Sequence, residues 1–198
     1  MRRTQAKDIT SRGVRDVASR ISEFVNLDGI DVLDDFFLKN CVGVVDSTEL
    51  QIWTWVGDAY SGKKKQFTLK YQVVVCLITG KAIQINGPYF GKMSDATVWR
   101  ESRMAEYLER DDLWVLGDRG YVGCRRVLFC LKRKRGEIRL PTASKEYNQK
   151  ISRKRVLVEN HFADLRVFKA VKHCFRGHVR DHHEIFFCCE IFLALTQE

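Results

Sequence analysis

Several features that define other classes of protein are missing from this 198-residue sequence. No apolar run approaches the roughly 20 residues of a membrane-spanning helix, and the polar, charged N-terminus does not resemble a secretory signal. The seven cysteines are odd in number and include no CxxC pair, which argues for a reducing compartment and against a disulfide framework. We therefore expect an intracellular protein, nuclear if eukaryotic and otherwise cytoplasmic, with no membrane partner.

Motifs for several kinds of chemistry are also lacking. The sequence contains no Gly-rich phosphate loop and no convincing nucleophile triad. It shows no internal repeat, low-complexity segment or interdomain linker, and its length suits one domain. Close histidines and a cysteine occur near the C-terminus, but their spacing fits no standard zinc finger. We favour surface or loop positions over structural zinc for this set: His173, Cys174, His178, His182 and His183.

What the sequence does have is an excess of positive charge. Lys and Arg total 34 against 25 acidic residues, which gives a net charge of +9. The excess is concentrated at residues 63–65, 125–139 and 150–155. Clustered basic charge favours nucleic acid or another polyanion as partner, although a solvated surface alone would explain the charge equally well.

Hydrophobic periodicity predicts helices at both ends of the chain and strands in its centre. Residues 5–39 read as helical segments packed against the central strands, because their apolar residues recur at three- and four-residue spacing. A meander of strands is predicted over residues 42–86, and a further strand over 113–117. Helices are predicted from Ser94 and Asp95 to about residue 108, over 123–131, from Ser152 to about 171, and over 183–196. This succession predicts a mixed α/β sheet with helices against it.

Two aspartates follow predicted strands directly. Asp46 ends the apolar run 42–45, and Asp118 ends the run 113–117. The backbone is rigid at a strand end, and a side chain there can enter a crevice beside the sheet. An aspartate in this position also commonly caps a turn, so either residue alone is ambiguous.

Glu159 is placed differently, within a predicted helix. Its neighbours Val158 and Phe162 belong to an apolar stripe, so Glu159 should lie next to or within the buried face. A buried carboxylate needs a cation. Arg155, one turn earlier, could provide it through an ordinary ion pair, and a bound metal is the alternative. Carboxylate oxygens suit Mg²⁺, and two such ions about 3.5–4 Å apart can promote phosphoryl transfer.

Four segments in order connect these acids to a known family. They are GVVDSTE at 43–49, YSGKKKQFTLK at 60–70, LGDRGY at 116–121 and RVLVEN at 155–160. Together they closely resemble the DDE superfamily endonuclease domain (DDE Tnp4-like) of Harbinger-type and IS5-type transposases, over roughly residues 41–195. The resemblance implies an RNase H-like α/β fold, a mixed sheet flanked by helices.

The resemblance also implies a function. Asp46, Asp118 and Glu159 would be the catalytic, metal-binding acids of an enzyme that uses Mg²⁺ or Mn²⁺ to hydrolyse DNA at transposon ends and to join strands. DNA would contact basic groups of two segments: Lys63, Lys64, Lys65, Arg153, Lys154 and Arg155. A homo-oligomer and a separate DNA-binding partner protein are further expectations.

The sequence departs from the family pattern at two places. Related domains often carry a histidine before the aspartate that corresponds to Asp95, where this chain has Ser94; Asp95 is then either an auxiliary acid or a helix N-cap. Family members usually have more helical sequence before the catalytic domain. We therefore expect residues 1–40 to be a helical remnant and 41–198 the catalytic domain. A transposon-derived protein that binds nucleic acid without cutting it is the alternative function.

Overall fold

The computed structural model of the protein describes residues 40–53, 57–133, 135 and 139–196. The helices predicted within residues 5–39 lie outside this part of the chain, so that prediction stays open. The strands in the described part are β1 Cys41–Gln51, β2 Tyr60–Ser61, β3 Gln66–Cys76, β4 Ala82–Phe90, β5 Trp114–Leu116 and β6 Val127–Leu128. The α-helices there are α1 Asp95–Ser102, α2 Met104–Arg110, α3 Thr142–Leu165, α4 Lys169–Lys172 and α5 His182–Thr196.

The six strands form one mixed sheet. β3 pairs antiparallel with β1 along one edge, and with β4 and the short β2 along the other. β1 in turn pairs parallel with β5, and β5 pairs parallel with β6. Helices cover both faces of this sheet. The arrangement confirms the predicted RNase H-like α/β fold.

Strand alternation separates the core into two layers, because successive side chains point to opposite faces of a sheet. Val44, Tyr71 and Leu116 pack with α3 and α5, on what we call the α3 face. Val45 and Val74 pack with α1 and α2, on what we call the α1 face. Each residue of β1 and β3 can therefore be assigned to one face by its position along the strand.

Three predicted elements differ from the structure. Helix α3 begins at Thr142, directly after Pro141, and not at Ser152; proline is favourable at the start of a helix because it has no amide proton to leave unpaired. The predicted helix over residues 123–131 is wrong, since the segment contains β6, which pairs with β5. A strand of two residues is too short to show a period. The helix predicted to run to about residue 108 is broken at Arg103, whose φ is 55°.

The last helix, α5, agrees with its predicted bounds but is buried on one side only. Glu190 is buried there and accepts a hydrogen bond from, or donates one to, His161 Nε2 at 2.9 Å. Phe187, Ile191 and Leu195 are exposed on the same helix. No helix in the described residues is both long enough and apolar enough to cross a membrane.

Candidate active site

Asp46 and Asp118 are brought to the same level of the sheet. Val44 of β1 is paired with Leu116 of β5 in parallel register. Asp46 lies two residues after Val44, and Asp118 lies two residues after Leu116. The alternation along β1 also assigns Asp46 to the α3 face. The sequence suggested that Asp46 follows the end of a strand, but β1 continues to Gln51. Asp46 on β1 and Asp118, two residues beyond the end of β5, are therefore close enough for the charge of Asp118 to act on Asp46.

The loop after β5 fixes Asp118. A Cβ at Gly117 would lie 2.7 Å from Val127 Cγ1, so only glycine lets the chain pass this close to β6. Asp118 Oδ1 then accepts a hydrogen bond of 2.6 Å from the backbone N–H of Gly120 and caps the 3₁₀ turn Arg119–Tyr121. Asp118 is thus a turn cap, as one interpretation of the sequence predicted. That role leaves its second oxygen without a hydrogen bond among the described residues.

Asp46 also has one backbone hydrogen bond, and its environment disfavours the ionised carboxylate. Its Oδ1 accepts a 2.7 Å hydrogen bond from the backbone N–H of Ser47. The pKa of Asp46 is raised to about 6, mainly by burial; the charges of Asp118 and Asp95 also raise it, whereas the Ser47 hydrogen bond and the charge of Arg155 lower it. The pair of aspartates therefore carries more negative charge than its surroundings neutralise.

Arg155 interacts electrostatically with Asp46. Its positive charge acts on Asp46, and no ion pair within 4.0 Å joins it to Glu159 in the described part of the chain. The predicted Arg155–Glu159 pair is therefore wrong. The Nε atom of Arg155 is buried and has no hydrogen-bond partner among the described residues. Arg155 therefore combines an unpaired buried donor with a charge that acts on Asp46.

Glu159 is exposed on α3, while its neighbours Val158 and Phe162 are buried. Of the two expected placements, Glu159 lies next to the buried face and not within it. Among the described residues, no group of three or more His, Cys, Asp or Glu side chains is close enough to hold a metal ion. A pair of carboxylates still suits Mg²⁺ or Mn²⁺, since Mg²⁺ usually takes one or two carboxylates together with substrate phosphates. The uncompensated charge of Asp46 and Asp118 fits such an ion.

A third carboxylate, that of Asp95, approaches Asp118 from the start of α1. A Cβ at Gly120 would lie 2.8 Å from Asp118 Oδ1 and 3.1 Å from Asp95 Oδ2, so both oxygens adjoin the same glycine. The helix N-cap is Ser94, whose Oγ accepts a hydrogen bond from Thr97 N at 3.1 Å. The predicted capping role of Asp95 is therefore wrong, and Asp95 is the first residue of the helix.

Comparison with known proteins places these acids in a family. Residues 45–194 match the family model described as DDE superfamily endonuclease. The chain belongs to this family. A protein of Streptomyces albus G, assigned as the transposase for insertion sequence element IS112, is 27% identical over 138 residues, which cover 70% of this chain and 52% of that protein.

A second relative of this DDE superfamily endonuclease comes from Microchaete diplosiphon. It is assigned as the transposase for insertion sequence element IS702, and is 28% identical over 127 residues, 61% of this chain and 44% of that protein. The chain spans about half the length of the curated relatives it matches. No solved structure matches it.

The endonuclease domain also contains a polar network that the sequence analysis missed. It lies on the α1 face, between β1, β3 and the loops around α1. Tyr121 OH accepts from Gln72 Nε2 at 3.1 Å, which leaves its proton for Ser47 Oγ at 3.1 Å; burial keeps the pKa of Tyr121 well above its usual value. A signal was present, since Thr68, Lys70 and Gln72 alternate in an otherwise apolar strand. The alternation marks one polar face.

The predicted DNA-binding residues are spread over the domain. Lys63, Lys64 and Lys65 are exposed in the turn between β2 and β3. The turn is eight residues from Val73, the partner of Asp46, and therefore roughly 25 Å along the strand from the acids. Arg153 is exposed on α3, whereas Lys154 and Arg155 are half-buried. Only Arg155 is shown to act on the carboxylate pair.

The histidines near the C-terminus do not form a metal site within the described residues. From the sequence, His182 is expected at the surface or in a loop, and this expectation is wrong. It is buried at the start of α5, its Nδ1 lies 2.8 Å from Tyr71 OH, and burial lowers its pKa to about 4. This residue is part of the core, and its neighbours His173 and His178 are exposed.

Proposed function

We propose that this chain is the catalytic domain of a metal-dependent DNA endonuclease that cuts phosphodiester bonds at transposon ends. The observation that carries the proposal is the placement of Asp46 and Asp118 at one level of two parallel strands, within the segment that matches the endonuclease family. Asp46, Asp118 and Glu159 would be the metal-binding catalytic acids. Glu159, on the exposed side of α3, would join the aspartates when DNA is bound.

The residues around the acids suit a polyanionic substrate. A bound Mg²⁺ or Mn²⁺ would act as a Lewis acid on the phosphate and lower the pKa of the attacking water. Asp46 is ionised above a pH of about 6, so the carboxylate is available at neutral pH. Arg155 has a buried Nε without an acceptor, and a DNA phosphate beside Asp46 would accept from it. Arginine binds phosphate through paired hydrogen bonds, which would orient the scissile group.

The remaining basic residues would bind the DNA backbone away from the cut. Lys63, Lys64 and Lys65, about 25 Å from the acids along β3, would contact phosphates several base pairs from the scissile bond. Arg153 and Lys154 would contact the backbone along α3. Strand joining, a homo-oligomer and a separate DNA-binding partner protein belong to the same proposal.

One observation favours a second function, nucleic-acid binding without cutting. Glu159 is exposed, and the described residues include no group of three acids placed to hold a metal ion. If Glu159 does not move toward Asp46 and Asp118, the domain would keep its basic surface but lack the third ligand. The two functions differ in whether any metal supports cleavage.

The test is a nicking assay on DNA that carries the element's terminal repeats, with Mg²⁺ or Mn²⁺. We expect Asp118→Asn to reduce nicking to background while DNA affinity and folding are kept, because asparagine can still accept the hydrogen bond from Gly120. Glu159→Gln should behave in the same way, whereas Asp164→Asn, an exposed acid on the same helix, should cut normally.

Two outcomes would decide against the endonuclease. Cutting by Asp118→Asn at the rate of the unmodified chain would remove that residue from the site. Salt-dependent DNA binding by the unmodified chain, with no cleavage under either metal, would support the binding-only function.

A further inference from the structure

Lys70 is a charged residue in the middle of the sheet. It is only 5% exposed, on the α1 face of β3. Isolated burial of an ammonium group is costly unless it is paired and hydrogen-bonded. Lys70 Nζ meets this requirement with three oxygen partners: it donates hydrogen bonds to the carbonyl of Met93 at 2.5 Å and to Asp95 Oδ1 at 3.0 Å, and it forms an ion pair with Glu49 Oε1 at 3.6 Å.

Two of these acceptors belong to the segment that leads into α1. Lys70 therefore binds both the backbone of this segment and one oxygen of Asp95. Gln72, the next residue on the same face, donates from Nε2 to the Asp95 carbonyl at 3.3 Å. Backbone and side chain of Asp95 are thus held by two adjacent side chains of β3, and the carboxylate has a fixed direction.

The fixed direction points the second oxygen of Asp95 at the active site. Asp95 Oδ2 adjoins Gly120, whose other neighbour is Asp118 Oδ1. Its charge is felt at Asp46. Among the described residues Oδ2 has no hydrogen-bond partner, whereas Oδ1 is used by Lys70. An acceptor without a donor of its own therefore stands beside the carboxylate pair.

We propose that Lys70 is a positioning residue that holds Asp95 as an outer-sphere acceptor for the divalent ion at Asp46 and Asp118. Asp95 Oδ2 accepts hydrogen bonds from the hydration shell of that ion and adds negative charge to the site. Outer-sphere partners of this kind change metal affinity by about 10–100-fold. The inference rests on the proposed metal-dependent function and deepens it, since it assigns a role to two residues outside the three acids.

The experiment measures Mn²⁺ binding to the whole chain by calorimetry at pH 8, without DNA. We expect Asp95→Asn to lower the affinity for Mn²⁺ by at least tenfold. The matched control is Glu101→Gln, which removes one acidic charge from an exposed position of the same helix and should leave the affinity within twofold. A general loss of negative charge would weaken both variants alike.

The role of Lys70 is tested in a double-mutant cycle. If Lys70 acts through Asp95, Lys70→Met weakens Mn²⁺ in the unmodified chain but not in the Asp95→Asn background. A further tenfold loss in that background would overturn the positioning role. Lys70→Met alone could fail to fold because it leaves Asp95 without its cation. The double variant has no acid at position 95, and its Mn²⁺ affinity can still be compared with that of Asp95→Asn.

The outcomes separate this inference from the function on which it rests. Tight Mn²⁺ binding that Asp118→Asn abolishes and Asp95→Asn leaves within twofold would overturn the inference alone. No Mn²⁺ binding by the unmodified chain would overturn both the metal site and its outer sphere.

Discussion

The two faces of the sheet hold their charged groups in different ways. On the α1 face, Lys70 is surrounded by acceptors, and Glu49 also accepts from Thr68 Oγ1 at 3.1 Å. On the α3 face, Asp46 has one backbone hydrogen bond and Arg155 has a buried donor with no acceptor among the described residues. Asp46 and Glu49 come from the same strand, β1. Buried charged groups therefore have hydrogen-bond and ion-pair partners on the α1 face. On the α3 face, Asp46 and Arg155 lack such partners, within the described part of the chain, for part of their polar atoms.

The unsatisfied face is the one that the family resemblance links to chemistry. Functional sites are where strain and perturbed pKa values concentrate, because groups that await a ligand lack their partner. The raised pKa of Asp46 is of this kind, with burial as its main cause and the like charge of Asp118 as a further one. On the α1 face, Lys70 and Gln72 hold the start of α1 through hydrogen bonds, and Gln72 also binds Tyr121 in the loop after Asp118.

The largest expected effect comes from breaking the satisfied face. Lys70→Met removes the cation but keeps the side-chain volume, so Glu49 and Asp95 are left without their counter-ion in a buried setting. Removing one partner of a buried pair costs about 3 kcal/mol or more. The free energy of unfolding, measured in urea at pH 7, should fall by that amount.

The control for Lys70 is Lys92, which pairs with Asp58 at 2.5 Å while both side chains are more than half exposed. Lys92→Met should cost less than about 1 kcal/mol, since exposed pairs contribute little. Equal losses for the two lysine variants would show that burial on the α1 face adds nothing to the pair.

A smaller effect of opposite sign is expected on the unsatisfied face. The folded-state pKa of Asp46 is raised from 3.8 to about 6, so the stability linked to its protonation is present below pH 3.8 and is lost as the pH rises through about 6. Asp46→Asn removes this loss. It should therefore stabilise the metal-free protein at pH 8 by on the order of 2 kcal/mol.

The gain from Asp46→Asn should shrink toward zero as the urea titrations are repeated down to pH 4. Asp164→Asn, an exposed acid on α3, should show no such trend. A destabilised Asp46→Asn variant at pH 8 would mean that the carboxylate is satisfied in the folded protein, and the contrast between the two faces would disappear.

The sequence predicted the α3 face better than the α1 face. Asp46, Asp118 and Arg155 were identified because motifs in order mark them, and the strand pairing that makes the two aspartates neighbours follows from a parallel register. Lys70 ends the segment YSGKKKQFTLK and alternates with Thr68 and Gln72, but neither feature indicates its partners. Its role depends on Met93 and Asp95, which are more than 20 residues away along the chain, and spacing alone gives no sign of such contacts.

The errors in secondary structure have a local cause. β6 is two residues long and is defined by its pairing with β5, so the apolar segment around it was interpreted as a helix. The apolar stripe beside Glu159 left open whether this residue lies next to or within the buried face, and a shift of one residue on a helix turns a side chain by about 100°. Val158 is buried and Glu159 exposed for this reason.

The smallest expected effect concerns Lys63, Lys64 and Lys65, which belong to neither set of charges. If they bind phosphates, replacing them should lower the slope of log Kd against log salt by about 0.9 for each phosphate no longer neutralised. The variant is Lys63→Gln, Lys64→Gln and Lys65→Asn, because residue 65 has a φ of 53° and asparagine tolerates that conformation. The control replaces Lys169 and Lys172, exposed on α4. Equal slopes for the turn variant and the unmodified chain would exclude the turn from the DNA surface and confine that surface to residues near Arg155.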